Sequence, residues 1–367
     1  MIKHCTRCLM PDTRPRVAFK DGICNACHWA EEKQGIDWNE RREEFASVVS
    51  AASGSGPYDC VVPFSGGKDS ASVAWRLKFE HGLNPLLVTY GQLLWTDAGR
   101  HNLDQVSRCG FDIIYWRVNQ DISRRLARRF FVERGHPKQH YDAAVNSVPV
   151  LTAIKFRIPL IFYAEHGETE YGGLVLSEES RRTRDLTEVL EHQVGDHPLN
   201  WATDGISERD LYPYVYPEQD EIDELGIKAY YFSYFFPWDI YENALLSQDQ
   251  MNFELAEEGR SMGSFEGFDS MDDKIDDLDF YCMWIKFGFG RATRMASRLI
   301  QNGHMTRKDG LKKVKQFDGE FPARYWSDIL EYMEMEEDQA LDVIDAHRNR
   351  EIWKREKDEW ILRHPPK

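Results

Sequence analysis

A glycine-rich turn between a predicted strand and a predicted helix constrains the fold of this chain more than any other feature. Residues 59–64 (DCVVPF) predict a short buried strand, and residues 70–81 have the apolar spacing of a helix. Between them lies Ser65-Gly66-Gly67-Lys68-Asp69-Ser70. Adjacent glycines allow a tight turn whose backbone N–H groups point at one anion, and the helix N-terminus adds its positive dipole end. The segment therefore predicts a phosphate site in a strand–turn–helix unit.

Strands and helices alternate around this turn. Further strands are predicted at residues 83–90, 111–117 and 159–164, and helices at 97–109, 122–134 and 148–156. This alternation favours the α/β class, with a parallel sheet covered by helices on both faces. After about residue 173 the strands are expected to give way to helical segments, the last of them a long polar helix at 325–363. The predicted divisions are a cysteine-bearing head (1–36), a helix and linker (37–57), an α/β domain (58–173) and a mostly helical region (174–367).

Side chains in the turn indicate the ligand more closely. Ser65, Lys68 and Ser70 add donors for phosphate oxygens, although the sequence lacks the G-x-x-x-x-G-K-[ST] pattern of a Walker A loop. An acidic residue within a phosphate cradle makes chemical sense when Mg²⁺ lies between the carboxylate and the phosphate, so Asp69 predicts Mg²⁺. The alternative is that an Asp-Ser pair caps the helix after a glycine turn.

Two cysteine pairs open the chain. Cys5-x2-Cys8 and Cys24-x2-Cys27 are separated by fifteen residues that are rich in turn formers, which is the spacing of a four-thiolate zinc site with a hairpin between the pairs. Four thiolates leave no open position for a substrate, so the predicted Zn²⁺ is structural and supplies folding energy to a small head. The alternatives are four unrelated reduced cysteines or two redox pairs.

Composition excludes several classes of protein. Lys and Arg number 46 against 62 Asp and Glu, and the formal net charge of −16 disfavours nucleic acid as a partner. No apolar run approaches the length of a membrane span, and the N-terminus lacks the apolar region of a secretory signal. An odd total of 7 cysteines does not match a secreted disulfide framework, so the expected compartment is the cytoplasm.

Other charged groups are candidates for ligand binding. Glu165, Glu168 and Glu170 follow a predicted strand, at the edge where parallel sheets bind ligands, and Glu165 is expected to join Asp69 on Mg²⁺. A solvated acidic loop is the alternative. Lys286 and Arg291 flank a second glycine turn that suits the approach of an anion, unless this is only an exposed loop between helices.

Three further patterns favour ordinary structural roles. The arginines between 124 and 134 predict a basic helix face that is solvated or contacts a partner. The alternative is that Arg125, Arg128 and Arg129, which share one face, steer an anionic substrate. Six aspartates between 269 and 279 lack the spacing of a calcium loop and predict a solvated helix face. The aromatic run at 230–238 (YYFSYFFPW) is interpreted as core, although one ring near Trp238 could stack on a sugar.

The SGGKDS segment resembles the loop of the PP-loop ATP pyrophosphatases, which cut ATP between its α and β phosphates and transfer AMP to a carbonyl oxygen. The resemblance implies that residues 65–70 bind ATP with Mg²⁺, and that Thr89 and Tyr90, at the end of the second strand, hold adenine through their backbone. Lys68, Asp69 and Glu165 become the candidate catalytic residues. Lys286 and Arg291 become candidates for binding the leaving pyrophosphate or the phosphate of a sugar nucleotide.

Within this superfamily nearly the whole chain resembles the N-acetyl sugar amidotransferases of bacterial surface-polysaccharide and nonulosonic-acid pathways. The similar segments are CTRCLMPDTRP (5–15), YDCVVPFSGGKDS (58–70), TDAGRHNL (96–103), IPLIFYAEH (158–166), EYGG (170–173), FFPWD (235–239) and KFGFGRAT (286–293). The chain departs from the family pattern at Ala164-Glu165-His166 and at Arg294-Met295, which bears on the substrate more than on the reaction.

The resemblance implies an ATP-dependent conversion of a sugar N-acetyl group to an acetamidino group, for lipopolysaccharide, O-antigen or a flagellar glycan. It also implies an N-acetylated sugar or nucleotide-sugar substrate, and ammonia from a separate glutaminase with a partner resembling imidazole glycerol phosphate synthase. One alternative is a PP-loop tRNA-thiolation enzyme, although no further Cys-x-x-Cys follows the head. A non-catalytic zinc-ribbon scaffold is another, although it would predict a disrupted loop and SGGKDS is intact.

Overall fold

A five-stranded parallel sheet forms the centre of the computed structural model, which describes residues 2–52, 56–184, 189–203 and 205–367. The strands of the chain are β1 (Phe19–Lys20), β2 (Ile23–Cys24), β3 (Cys60–Pro63), β4 (Pro85–Tyr90), β5 (Asp112–Trp116), β6 (Leu160–Tyr163), β7 (Lys228–Tyr231), β8 (Trp353–Glu356) and β9 (Glu359–Leu362). The order in the central sheet is β5-β4-β3-β6-β7, and every neighbouring pair is parallel. The predicted α/β class is confirmed.

Helices connect and cover the strands. The α-helices are α1 (Asn25–Glu32), α2 (Trp38–Ala52), α3 (Lys68–Trp75), α4 (Asp97–Arg108), α5 (Gln120–Arg134), α6 (Gln139–Phe156), α7 (Gly167–Tyr171), α8 (Gln219–Glu224), α9 (Phe232–Phe235), α10 (Ile240–Met251), α11 (Asp276–Phe287), α12 (Arg291–Gln301), α13 (Arg307–Phe317), α14 (Trp326–Met333) and α15 (Glu337–Ala346). A π-helical segment, Arg76–Glu80, extends α3. In the described part of the chain, no helix is long and apolar enough to cross a membrane.

Successive residues of the strands pack on opposite faces of the sheet. Val61 and Leu86 belong to one core cluster, with side chains from α5 and α6. Val62 and Leu87 belong to a second cluster, with side chains from α2 and α3. Apolar side chains on both faces explain why these strands read as continuous apolar runs rather than as alternating ones.

The fifth strand departs from the sequence prediction. β7 comes from beyond residue 173, where the pattern predicts that strands fade, and Ile161 of β6 pairs with Ala229. The ligand-binding edge of the sheet therefore includes residues outside the predicted 58–173 division. Much of the aromatic run that follows is buried, with Tyr231, Phe232 and Phe235 all fully covered, which confirms its interpretation as core.

The predicted long helix at 325–363 is wrong. α14 ends where Glu334 takes a left-handed φ of 51°, α15 follows, and the chain then forms the antiparallel hairpin β8–β9. Lys357 and Asp358 have φ values of 48° and 67° at its tip. Positive φ at both central residues matches a two-residue hairpin turn, which the polar composition of this segment conceals.

The aspartates between 269 and 279 are not a solvated helix face, so that interpretation is also wrong. Asp272, Asp273, Asp276 and Asp277 are buried, and Lys138 Nζ lies 2.5 Å from Asp276 and 3.3 Å from Asp273. Asp273 also accepts hydrogen bonds from the backbone N–H groups of residues 93 and 94. Cations and N–H donors from distant parts of the sequence stabilise these buried carboxylates.

The arginines of α5 are engaged within the chain. Arg124 pairs with Asp121 at 2.6 Å and Arg129 with Glu133 at 2.9 Å. These are local ion pairs on a partly solvated helix surface, and they give no support to an anion-steering face.

The head packs against the rest of the chain. Between its cysteine pairs, β1 and β2 form the predicted hairpin, and the backbone N–H of Leu9 donates to Ser297 Oγ of α12. The predicted helix and linker (37–57) lies partly outside the described residues, because residues 53–55 are not described.

Candidate active site

The four head cysteines form one compact cluster. Their Sγ atoms all lie within 4.8 Å of one another, and all four residues are buried. Cys5 Sγ lies 3.8 Å from Cys27 Sγ, and Cys8 Sγ lies 3.6 Å from Cys24 Sγ. Tetrahedral zinc with Zn–S bonds of about 2.3 Å requires S–S separations of about 3.8 Å. The cluster therefore has the geometry and the donor set of a closed, structural zinc site.

The glycine turn lies at the carboxyl end of β3, the central strand. Gly66 has a φ of +99°, and a Cβ there would lie 3.3 Å from the Trp95 ring. The backbone N–H of Gly67 donates to Ser65 Oγ at 3.2 Å, and α3 begins at Lys68. Both the positive φ and the close ring explain why a glycine stands at position 66.

Lys68 and Asp69 project from the first turn of α3 and contact each other. Lys68 Nζ lies 2.5 Å from Asp69 Oδ2, and Asn243 of α10 donates its amide to Asp69 Oδ1 at 3.0 Å. Lys68 is buried, whereas the Asp69 side chain is 23% exposed. A carboxylate that is held by an amide and remains partly open suits a ligand for a hard cation such as Mg²⁺.

A cavity of about 260 Å³ opens beside the turn. It lies at the carboxyl ends of β3, β4 and β6. In doubly wound sheets, ligands bind at such a position, where the strand order reverses. Its lining includes Ser65, Val88, Tyr90, Glu165 and Arg184. Of the two predicted adenine-contacting residues, Tyr90 lines the cavity, whereas Thr89 lies between two lining residues with its side chain fully buried.

Glu165 reaches this cavity from the loop that follows β6. Its carboxylate accepts a hydrogen bond from the Tyr171 hydroxyl at 2.6 Å and lies 3.7 Å from Arg298 Nη1. Burial and the nearby Asp69 carboxylate raise the pKa of Glu165, and Arg298 offsets part of this effect. Because the two carboxylates repel each other, a cation between them would stabilise both charges. Their oxygens fit Mg²⁺ in donor type.

Glu168 and Glu170 instead bind the head. Arg16 contacts Glu168 through Nε at 3.1 Å and Nη2 at 2.7 Å. Lys33 Nζ lies 2.9 Å from Glu170, which also accepts from the Trp29 indole at 2.7 Å. These contacts give both carboxylates a structural role between head and sheet.

Lys286 and Arg291 are also engaged by the protein. The Arg291 side chain is fully buried, with Nη1 2.8 Å from Asp277 and Nε 3.2 Å from Asp269. Lys286 donates to the backbone carbonyl of Arg134 at 3.2 Å. The structure therefore does not offer Arg291 to a phosphate, because its donors already bind buried carboxylates and carbonyls.

Several residues near Glu165 were not selected from the sequence. Arg294 and Arg298 lie on α12 with Arg291, and their spacing of three and four residues places all three on one helix face. The Tyr171 ring lies 4.2 Å from the Arg298 guanidinium carbon. The helical spacing in RATRMASR was visible in the sequence, but not which arginine was already paired.

Gln92 links the turn to the buried aspartates. Its amide donates to the Ser65 carbonyl at 2.7 Å and to Asp272 at 2.5 Å. Asp272, in the C-terminal region, therefore helps to hold the turn in place through Gln92, which lies 180 residues earlier in the sequence.

This fold and site define an α/β protein with a four-cysteine head and a glycine turn at the ligand-binding edge of its sheet. Residues 262–364 match the family model for the C-terminal domain of WbpG-like LPS biosynthesis proteins. The matched region covers a little over a quarter of the chain and includes α11 to α15 and the terminal hairpin. The match supports a role in polysaccharide biosynthesis. A comparison with curated proteins gives no match to the chain.

Proposed function

We propose that this protein is an ATP-dependent amidotransferase that acts on the N-acetyl group of a sugar. ATP is cut between its α and β phosphates, AMP is attached to the acetyl carbonyl oxygen, and ammonia then displaces AMP to leave an acetamidino group. The observation that carries the proposal is the glycine turn, whose first residue, Ser65, lines a cavity at the carboxyl edge of a parallel sheet. Asp69 follows this turn in the first turn of α3. The LPS biosynthesis match supports a sugar substrate.

Each group at the turn has a role in this reaction. The N–H groups of the turn and the N-terminus of α3 bind the β and γ phosphates as the leaving group, which leaves the α phosphorus facing the substrate. Lys68 neutralises the charge that develops on pyrophosphate. Asp69 and Glu165 would hold Mg²⁺, which supplies further charge neutralisation when bound. Neutral ammonia needs little general-base help, so positioning and electrostatics dominate the chemistry.

The ammonia source follows from the family resemblance. Ammonia at neutral pH is mostly protonated, and delivery from a separate glutaminase with a partner resembling imidazole glycerol phosphate synthase would supply the unprotonated form. This part of the proposal rests on the resemblance alone.

Cysteine burial disfavours the tRNA-thiolation alternative. Cys60 and Cys282 are buried, and burial raises the pKa of both thiols. A sulfur carrier needs an accessible thiolate, which neither residue provides. Cys109 is half-buried, and burial raises the pKa of its thiol as well.

The proposal is tested by incubating candidate N-acetyl sugars and nucleotide sugars with the protein, ATP, Mg²⁺ and ammonium. We expect one substrate to lose about 1 Da, because the amide oxygen is replaced by an imine NH. Mass spectrometry measures the change, and reactions without ATP are the control. Cleavage of ATP without a change in the mass of any acetylated sugar tested would contradict the proposal.

Replacing Lys68 with alanine is expected to lower turnover about 100-fold or more, the cost of losing one electrostatic contact to a leaving group. The ATP-dependent rate measures the effect. Lys68→Arg keeps the charge and should recover part of the rate, whereas equal rates in the wild type and Lys68→Ala would exclude this role.

A further inference from the structure

Three arginines from two distant parts of the chain meet around Tyr171 and Gly172. Arg14 of the head donates to the Gly172 carbonyl. The guanidinium carbons of Arg294 and Arg298, on α12, lie 5.2 Å and 4.2 Å from the Tyr171 ring. The head thus contributes a cation to the same place as α12.

These three guanidiniums form few close ion pairs, although carboxylates lie near them. Arg14 and Arg294 form no ion pair with any described residue, and Arg298 has only Glu165, at 3.7 Å. The nearby Glu168 and Glu170 already bind Arg16 and Lys33. In a chain with a net charge of −16, three neighbouring guanidiniums that form only one ion pair among the described residues are a local exception.

Arg298 also has a hydrogen-bond donor to spare. The residue is only 6% exposed, and its Nη2 atom is buried without a hydrogen-bond partner among the described residues. An unsatisfied buried donor on a charged group is costly, and structures retain such groups where a ligand satisfies them. Burial and repulsion from Arg294 and Arg16, offset only in part by Glu168, lower the pKa of Arg14 to about 10. An anion would remove this repulsion.

We propose that Arg14, Arg294 and Arg298 form a binding site for a phosphate-bearing group beside the glycine turn. Arginine suits this ligand because its planar donors match phosphate oxygens. The site adjoins the cavity, because Glu165 lines that cavity and lies 3.7 Å from Arg298 Nη1.

The phosphate has two possible sources under the proposed function on which this inference rests. It is either the pyrophosphate end of ATP or a diphosphate carried by the sugar substrate. Calorimetric titration of the full chain with inorganic pyrophosphate, AMP and UDP, each with Mg²⁺, distinguishes the two sources. Arg14→Gln, Arg294→Gln and Arg298→Gln are compared with Arg350→Gln, a control on an exposed arginine that pairs with Asp345.

We expect each site variant to weaken binding of one probe about tenfold or more, the loss typical of a charge-assisted hydrogen bond. Weaker pyrophosphate binding with unchanged AMP binding assigns the site to ATP, and weaker UDP binding with unchanged pyrophosphate binding assigns it to the substrate. Unchanged affinity for all probes in Arg294→Gln would overturn the inference. That variant decides the matter if Arg298→Gln does not fold, because Arg294 is only half-buried.

Failure of this inference is distinguishable from failure of the proposed function. Turnover of ATP to AMP, combined with normal phosphate binding in all three variants, removes only the arginine site. Release of ADP by the wild type would contradict the proposed function. The affinities of the arginine variants for the probes would still test the arginine site.

Discussion

Replacing Asp69 with alanine is expected to abolish turnover of ATP and sugar while leaving the fold intact. The variant removes a carboxylate proposed to hold Mg²⁺ against the phosphates, and without that charge neutralisation the pyrophosphate cannot leave at a useful rate. The rate of AMP formation measures the loss, and circular dichroism and thermal melting report on the fold.

The local contacts explain why the fold should survive. Asp69 is partly exposed, and its contacts beyond the adjacent Lys68 reduce to the hydrogen bond from Asn243. Asn243 keeps a second contact through its carbonyl oxygen, which lies 3.0 Å from Ser72 Oγ. The variant therefore leaves no large cavity and no charged partner buried alone apart from Lys68.

Two matched variants sharpen this test. Asp69→Asn keeps the size and hydrogen-bonding capacity of the side chain but loses the charge, and it should be as inactive as Asp69→Ala. Asp121→Ala removes an aspartate from the first turn of α5, where it pairs with Arg124, and it should retain full turnover. Full activity in Asp69→Ala would contradict the assigned role.

Replacing Cys24 with serine is expected to release the metal and to destabilise the head. Purified wild type should contain one Zn²⁺ per chain, and the variant close to none. β1 and β2 are only two residues long, so the head has little structure that would persist without metal. Zinc binding in small metal-dependent domains contributes on the order of 10 kcal/mol to folding.

Metal analysis and thermal melting test this second expectation. Cys109→Ser is the control, because Cys109 is half-buried and lies outside the cluster, so it should keep both the zinc and the melting temperature. A wild-type protein without zinc, or with the absorption band of an iron–sulfur cluster, would contradict the assignment and favour the thiolation alternative.

Unfolding of the head should also destabilise the rest of the chain. Arg16 binds Glu168, and Arg307 of α13 donates to the Cys8 carbonyl, so the head is held from two sides. A Cys24→Ser protein is therefore expected to lose solubility as well as metal.

The sequence predicted those parts of the fold that depend on residues close to one another in the chain. The cysteine spacing, the glycine turn and four central strands each depend on neighbouring residues, and the structure bears them out. β7 was missed because it lies 65 residues after β6 and merges into an aromatic run without a period of its own.

The errors at the site share another cause. In the sequence, the aspartates near 273 resemble a solvated acidic run. In the structure, Lys138 and Arg291, from other parts of the chain, pair with them. The sequence likewise does not show that Arg16 of the head pairs with Glu168. The sequence identifies which residues carry charge, but only tertiary contacts show which charges are already neutralised. Arg291 is neutralised by buried aspartates, so Arg294 and Arg298 replace it as the candidates for binding an anion.

The most direct test of the proposed reaction follows the carbonyl oxygen. The sugar identified by the mass assay is prepared with ¹⁸O in its N-acetyl carbonyl and converted in the presence of ATP, Mg²⁺ and ammonium, and the nucleotide products are analysed by mass spectrometry. Because AMP leaves with the oxygen to which it was attached, we predict AMP that carries ¹⁸O, with unlabelled pyrophosphate. Unlabelled AMP, or ADP with orthophosphate, would contradict the reaction proposed for this site.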